Sequence, residues 1–334
     1  MFNDKRVLIT GGTGSFGKAF IRYVKEHYQP ERLIVYSRDE LKQFEMEQEF
    51  GNDQMRYFIG DVRDAPRLSQ ACEEVDIIIH AAALKQVPAA EYNPFEAIKT
   101  NIIGAENVVQ AAIRNNVARV VALSTDKASA PINLYGATKL CSDKLFLAAN
   151  NIKGKRKLSF SVVRYGNVIG SRGSVIPFFL SKQKESVLPV TDERMTRFNI
   201  SLLDGVKLVL FAVQNSVGGE LYVPKIPSYR ILDVVEAIAP NAGTKIIGIR
   251  PGEKLHEEMI TEHDALNSID AGDKFVIAAD EPQKKFFEEV YPNATDLPTG
   301  FRYNSKDNLH FLTVDEIRKE IQLHVDPDFR VGSD

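Results

Sequence analysis

Thr10-Gly11-Gly12-Thr13-Gly14-Ser15-Phe16-Gly17 is the stretch that decides the fold. It follows the apolar run Arg6–Thr10 directly and opens a segment whose apolar positions, Phe20, Ile21 and Val24, recur at helical spacing. Strand, glycine turn and helix in that order make a phosphate cradle. Gly11 permits the tight turn, Gly14 lets a pyrophosphate approach the backbone, and Gly17 lets the helix pack closely on the strand. The phosphates then lie at the positive helix end, with Thr13, Ser15 and Phe16 lining the turn.

Working outward, short apolar runs recur at 32–36, 55–59, 75–80, 119–124 and 158–164, separated by amphipathic segments. That alternation predicts βαβ units and a parallel sheet covered by helices on both faces. The expected class is α/β: a Rossmann-like doubly wound sheet with a smaller C-terminal substrate-binding lobe. An NADP-binding domain is expected over 1–165, with a helix at 202–213 and a strand at 220–223 returning to it. Residues 166–334 form mainly the substrate lobe and a C-terminal extension. Pro177, Pro189, Pro224 and Pro227 punctuate its shorter elements, and from Glu262 onward the chain is polar with few sharp signals.

Composition narrows the partners. The 334 residues are 44% hydrophobic and 26% charged, as in an ordinary globular enzyme, and a net charge of -3 leaves no basic footprint for nucleic acid or an anionic membrane. The N-terminus runs straight into a strand pattern without a signal-peptide core, and no stretch approaches a membrane span, so a cytoplasmic enzyme is expected. Cys72 and Cys141 form neither a disulfide framework nor a metal-ligand spacing, and are expected to be buried or half-buried; no metal is expected.

Past the second strand, Ser37 and Arg38 offer a hydroxyl and a planar cation suited to a ribose 2′-phosphate, favouring NADP over NAD. Lys42 adds a second positive charge; the alternative has Asp39 on the ribose. Asp61, beside Val62, either accepts from the adenine amino group or caps a helix beginning near Ala65. Ala81 and Ala83 are small enough for backbone to approach a cofactor, and His80 reads as a packed, hydrogen-bonded histidine.

Tyr135 and Lys139 stand one helical turn apart, so both can face a nicotinamide, whose positive charge together with a neighbouring ammonium would lower the phenol's pKa. Eight residues earlier, Ser124-Thr125-Asp126-Lys127 ends a strand. Asp126 and Lys127 read as an acid–base pair; the alternative is an exposed ion pair.

These motifs resemble those of the extended short-chain dehydrogenase/reductases. More narrowly, the chain is similar to the inverting UDP-N-acetylglucosamine 4,6-dehydratases that begin pseudaminic acid biosynthesis, through Gly-Gly-Thr-Gly-Ser-Phe-Gly, Tyr36-Ser-Arg-Asp-Glu-Leu-Lys-Gln43, Ser-Thr-Asp-Lys-Ala, Tyr135-Gly-Ala-Thr-Lys139, Arg164-Tyr-Gly-Asn-Val168, Met195-Thr-Arg-Phe198 and Arg250-Pro-Gly-Glu-Lys-Leu-His256. The resemblance spans Lys5 to about Thr261 and departs slightly at Leu84-Lys85-Gln86-Val87. It implies a UDP-N-acetylglucosamine substrate, an NADP regenerated each turnover, a lysine where retaining relatives generally carry glutamate, and a homo-oligomer between dimer and hexamer. In that pattern Tyr135 takes the O4 proton, Lys127 the C5 proton, Asp126 helps the C6 hydroxyl leave, and Thr125 binds near O4. Leu123, Ser124 and Val168 complete the cofactor site. Lys85, Asn167 and Arg172 lie near the sugar, diphosphate or nicotinamide; Val175, Pro189 and Thr191 near the nucleotide; and Arg197, Arg250 and Glu253 on the substrate side. A nucleotide-sugar 4-epimerase shares Tyr135 and Lys139 but needs no pair for C5 and C6; a non-catalytic NADP-binding regulator needs neither.

Overall fold

The computed structural model describes residues 1–171 and 173–331. Six parallel strands carry the first half: β1 Arg6–Thr10, β2 Arg32–Ser37, β3 Met55–Ile59, β4 Ile77–His80, β5 Arg119–Thr125 and β6 Ser159–Tyr165. Their spatial order is 3-2-1-4-5-6, so the direction of winding reverses between β1 and β4. There, beyond the carboxyl ends of the strands, an open α/β sheet leaves a crevice for a ligand.

Alternation along the strands explains why both faces are buried. Val7, Ile9, Leu33 and Val35 join one core with Phe20 and Val24 of the helix Ser15–His27. Leu8, Ile34, Tyr36 and Ile78 join a second core on the opposite face. That helix buries a single stripe and ends with Lys25 and His27 in its last turn, where cations complement the helix dipole.

The sheet continues past β6. Leu221–Pro224 pairs with it in parallel, preceded by the helix Leu202–Asn215. Lys274–Ile277, Ser268–Asp270 and Thr295–Asp296 then add antiparallel strands, making ten in all among the described residues. This antiparallel edge, drawn from the polar stretch after Glu262, has no counterpart in the sequence reading. A third core, including Ile176, Phe179, Leu188, Val234, Ile238 and Ile317, holds the remaining lobe. Cys72 is buried and Cys141 exposed, the latter against expectation. No helix among the described residues is long and apolar enough to cross a membrane.

Candidate active site

The glycine turn is shaped by contacts that tolerate no side chain. Gly11 has a φ of 65°, and a Cβ on it would stand 2.8 Å from the Ala82 backbone. One on Gly17 would stand 2.2 Å from the Gly12 carbonyl oxygen, so Gly17 serves helix–strand packing and does not itself line the cleft. Above the turn lies a cleft of about 640 Å³. Gly11, Thr13, Gly14, Ser15, Phe16, Ser37, Arg38, Lys42, Asp61, Val62, Ala81, Ala83, Lys85, Leu123, Ser124, Thr125, Lys127, Tyr135, Lys139, Asn167 and Val168 all line it.

The adenosine end is more tightly bonded than the sequence implied. Thr13 Oγ1 and Ser37 Oγ lie 2.9 Å apart. Asp39 caps the helix Glu40–Phe50, accepting from the Lys42 backbone and, at 2.5 Å, from Lys42 Nζ, so both side chains are already engaged. The cap of the helix Ala65–Ala71 is Asp64, which corrects the capping alternative for Asp61. Asp61 instead accepts from Arg63 and lies 3.5 Å from the Arg38 guanidinium. Burial pushes the Asp61 carboxyl up, but the Arg63 hydrogen bonds outweigh it and leave it below its ordinary value. His80 is buried, with Nδ1 2.8 Å from Thr10 Oγ1, and burial lowers its pKa to about 3.

At the inner end, β5 delivers Thr125 into a single 3₁₀ turn, Asp126–Ala128. Asn133 caps the next helix, Leu134–Ile152, through the Gly136 N–H at 2.8 Å, and so sets Tyr135 and Lys139 over the cleft. Lys139 is buried and donates to the Leu123 carbonyl at 2.7 Å; burial lowers its pKa. Behind it, Asp143 accepts from Ser124 Oγ at 2.7 Å and from Arg164 at 3.2 Å. Burial pushes Tyr135 up to about 12, with Lys127 and Thr125 pulling against it. In the protein alone, burial therefore outweighs the lowering by the neighbouring ammonium.

Lys127 Nζ stands 3.1 Å from Asp126 Oδ1, 3.4 Å from Asn167 Oδ1 and 3.1 Å from Glu257 Oε1. The exposed-ion-pair alternative is excluded, because Asp126 is fully buried and Lys127 half-buried. Burial disfavours the ammonium, yet Asp126 and Glu257 outweigh it and hold Lys127 above the ordinary lysine value. Asp126 moves upward, first from burial and further from Glu257, against the pull of Lys127.

The remaining substrate-side residues surround rather than line the cleft. Arg197 is buried on the strand Thr196–Ile200 and pairs with Glu253 at 3.3 Å. Pro189 sits on Val187–Val190, in register with Lys245; Thr191 follows it, Val175 begins the helix Val175–Ser181, and Arg250 is exposed. Arg172 lies outside the described residues. Glu257 was missed by the sequence reading, whose final motif stops at His256. Its only signal was position, one residue beyond that motif.

The cleft suits a dinucleotide: its turn excludes a Cβ, and two buried hydroxyls on its wall, Thr100 Oγ1 and Ser174 Oγ, lack a partner among the described residues. A tyrosine and a lysine one helical turn apart at the floor of such a cleft are how short-chain dehydrogenase/reductases are built, and this chain is of their extended class. It belongs to the family of polysaccharide biosynthesis proteins, whose model matches residues 7–279.

The chain is 54% identical to the inverting UDP-N-acetylglucosamine 4,6-dehydratase of Campylobacter jejuni, over 92% of this chain and 94% of that one. It is 40% identical to a UDP-glucose 4-epimerase of Rickettsia felis, over 98% and 97%. The X-ray structure of Pen from Bacillus thuringiensis superposes with a TM-score of 0.87 at 38% identity, covering 97% of this chain and 98% of that one. The likeness therefore runs beyond Thr261, the limit of the resemblance read from the motifs.

Proposed function

We propose that the chain is a UDP-N-acetylglucosamine 4,6-dehydratase that inverts C5, yielding UDP-2-acetamido-2,6-dideoxy-β-L-arabino-hexos-4-ulose for surface-glycan synthesis of the pseudaminic acid kind. The observation that carries this reading is the buried Asp126–Lys127 pair beside Tyr135, in a chain 54% identical to an enzyme of that name. An epimerase has no use for such a pair.

NADP is the cofactor in this reading, supported by Arg38 and Ser37 at the adenosine end of the cleft. When bound, it supplies a hydride acceptor at C4 and a hydride donor at C6. Tyr135 takes the O4 proton, with Lys127, Thr125 and the nicotinamide's charge opposing the effect of burial on its phenol. The new C4 ketone acidifies the C5 hydrogen. Lys127 removes it, Asp126 gives a proton to the C6 oxygen, and water leaves as the C5–C6 double bond forms. Asp126 suits an acid because burial and Glu257 raise it. Two protons are taken, from O4 and C5, and two are given, to the departing water and back to C5.

Arg197, Asn167, Arg250 and Glu253 are proposed to hold the diphosphate and sugar, with Arg172. The test is direct. Purified protein with UDP-N-acetylglucosamine and NADP is expected to give ring-proton couplings and NOEs of the L-arabino ulose in fresh product. A D-xylo product rules out inversion, and a UDP-sugar altered only at C4 favours the epimerase.

A further inference from the structure

Lys127 presents a difficulty that the elimination must solve. A base at C5 has to be aimed at that hydrogen, and Nζ, at the end of a long side chain, lies 3.1 Å from each of two buried carboxyl groups. If Asp126 alone held Nζ, one carboxyl would be both the lysine's anchor and the acid for the leaving hydroxyl. Two separate carboxylates separate the tasks.

Glu257 is built for the first. It is 2% exposed, its backbone N–H donates to Ser305 Oγ at 2.9 Å, and its carbonyl accepts from the Ser305 N–H at 2.8 Å. With the backbone pinned on both sides, Oε1 meets Nζ while Oε2 has no partner among the described residues. A buried, half-unpaired carboxylate is costly unless it exchanges a proton or has a charge to face. Asp126 Oδ2 is likewise unpartnered, near the position a Cβ on Gly166 would occupy.

Resting on the dehydratase reading, we propose that Glu257 is a positioning residue that fixes Lys127 Nζ, so that Asp126 in its protonated form is left to act as the acid. Lys127, as the free amine, takes the C5 proton, and the C5–H electron pair becomes the C5–C6 double bond. The C6–O bond breaks with its electrons on oxygen, and Asp126 supplies the proton that completes the water.

The other groups facing Lys127 are Asp126 on its own turn, Tyr135 on the following helix, Arg197 and Tyr229 on neighbouring strands, and Lys254 on the segment carrying Glu257. Arg197 Nε, 3.9 Å from Oε1, is a second cation on the same carboxylate. Among the described residues, loss of the Glu257 charge therefore leaves Lys127 with Asp126 as its carboxylate neighbour and Arg197 opposing its ammonium.

Glu257→Gln keeps the shape and removes the charge that holds Nζ. With UDP-N-acetylglucosamine it is expected to form reduced cofactor at 340 nm within about threefold of wild type, with KM similarly preserved. Exchange of the C5 hydrogen in deuterated water should fall by about 10- to 100-fold, part of the roughly 10²–10⁴ that a placed acid–base group supplies. Glu257→Asp should recover part of that loss, and decides the matter if Glu257→Gln does not fold, since its exchange must also be slower than wild type. Without substrate, the ¹³Cε resonance of Lys127, assigned by its absence from Lys127→Ala, should titrate at lower pH in Glu257→Gln. Wild-type exchange with an unmoved titration overturns the proposal, as does equal loss of C4 oxidation and C5 exchange. A wild-type protein that leaves the substrate untouched sinks the dehydratase reading instead, and the titration then decides Glu257 alone.

Discussion

Arg38 and Lys127 show how far a single residue type carries information. Arg38 lines the cleft with a half-exposed guanidinium 3.5 Å from Asp61, so its charge is only loosely committed to the protein. Arg38→Ala is expected to weaken NADP by about 1.5–3 kcal/mol, the scale of a charge-assisted hydrogen bond, while changing NAD little. Calorimetry with both cofactors checks this, and equal affinities in the wild type would remove the NADP assignment. Lys42, with Nζ bonded to Asp39, is the less available of the two cations. Lys127 was legible as a candidate base from its spacing to Tyr135, but its proton affinity was not, because Glu257 lies 130 residues away in sequence and meets it only in the fold.

Among the elements, the helix Leu134–Ile152 and the turn Asp126–Ala128 act as one unit. A Cβ on Gly136 would lie 2.1 Å from the Lys127 carbonyl oxygen and 3.0 Å from Pro131 Cβ, so the helix start rests directly on the catalytic turn. Gly136→Ala must push them apart. A loss of about 1–3 kcal/mol in unfolding free energy is expected, the usual cost of overpacking, with a larger proportional loss of turnover. Urea denaturation alongside dehydration assays separates the two; a variant of wild-type activity would show that turn and helix are not rigidly coupled. The inner parallel strands were visible as apolar runs because they are buried on both faces, while the edge strand Met55–Ile59 is only partly covered. The antiparallel strands Ser268–Asp270 and Lys274–Ile277 were not, being short and set among polar residues at the sheet's far edge.

Across the whole molecule, the site is closed by segments far apart in sequence. Asn133 Nδ2 donates to the Gly252 carbonyl at 2.7 Å, Lys254 Nζ to the Ser129 carbonyl at 2.6 Å, and Arg197 to the Leu255 carbonyl at 3.0 Å. The strand Tyr303–Asn304 pairs with Glu258–Ile260 just beyond Glu257, so the C-terminal region braces the catalytic turn. Stability should carry the mark of buried His80. Its folded pKa is depressed to about 3 by burial, against 6.5 for an ordinary histidine. Between those values the unfolded chain binds a proton that the folded chain refuses, so stability falls as pH drops from 6.5 towards 3, by up to about 1.4 kcal/mol per pH unit. His80→Gln is expected to flatten that stretch in denaturation series from pH 7 to pH 4. An unchanged slope would mean that His80 ionises inside the fold.

By itself the sequence determined the strand–glycine turn–helix, the parallel order that follows from βαβ units, and the Tyr135–Lys139 spacing. These are local: a turn needs its glycines adjacent, a helix repeats every few residues, and a doubly buried strand must be apolar throughout. Only the tertiary structure decided that Asp64 rather than Asp61 caps its helix, that Tyr135 is raised rather than lowered by its surroundings, and that Glu257 faces Lys127. Burial and charge depend on what packs from elsewhere in the chain, and a pKa is the sum of those distant neighbours.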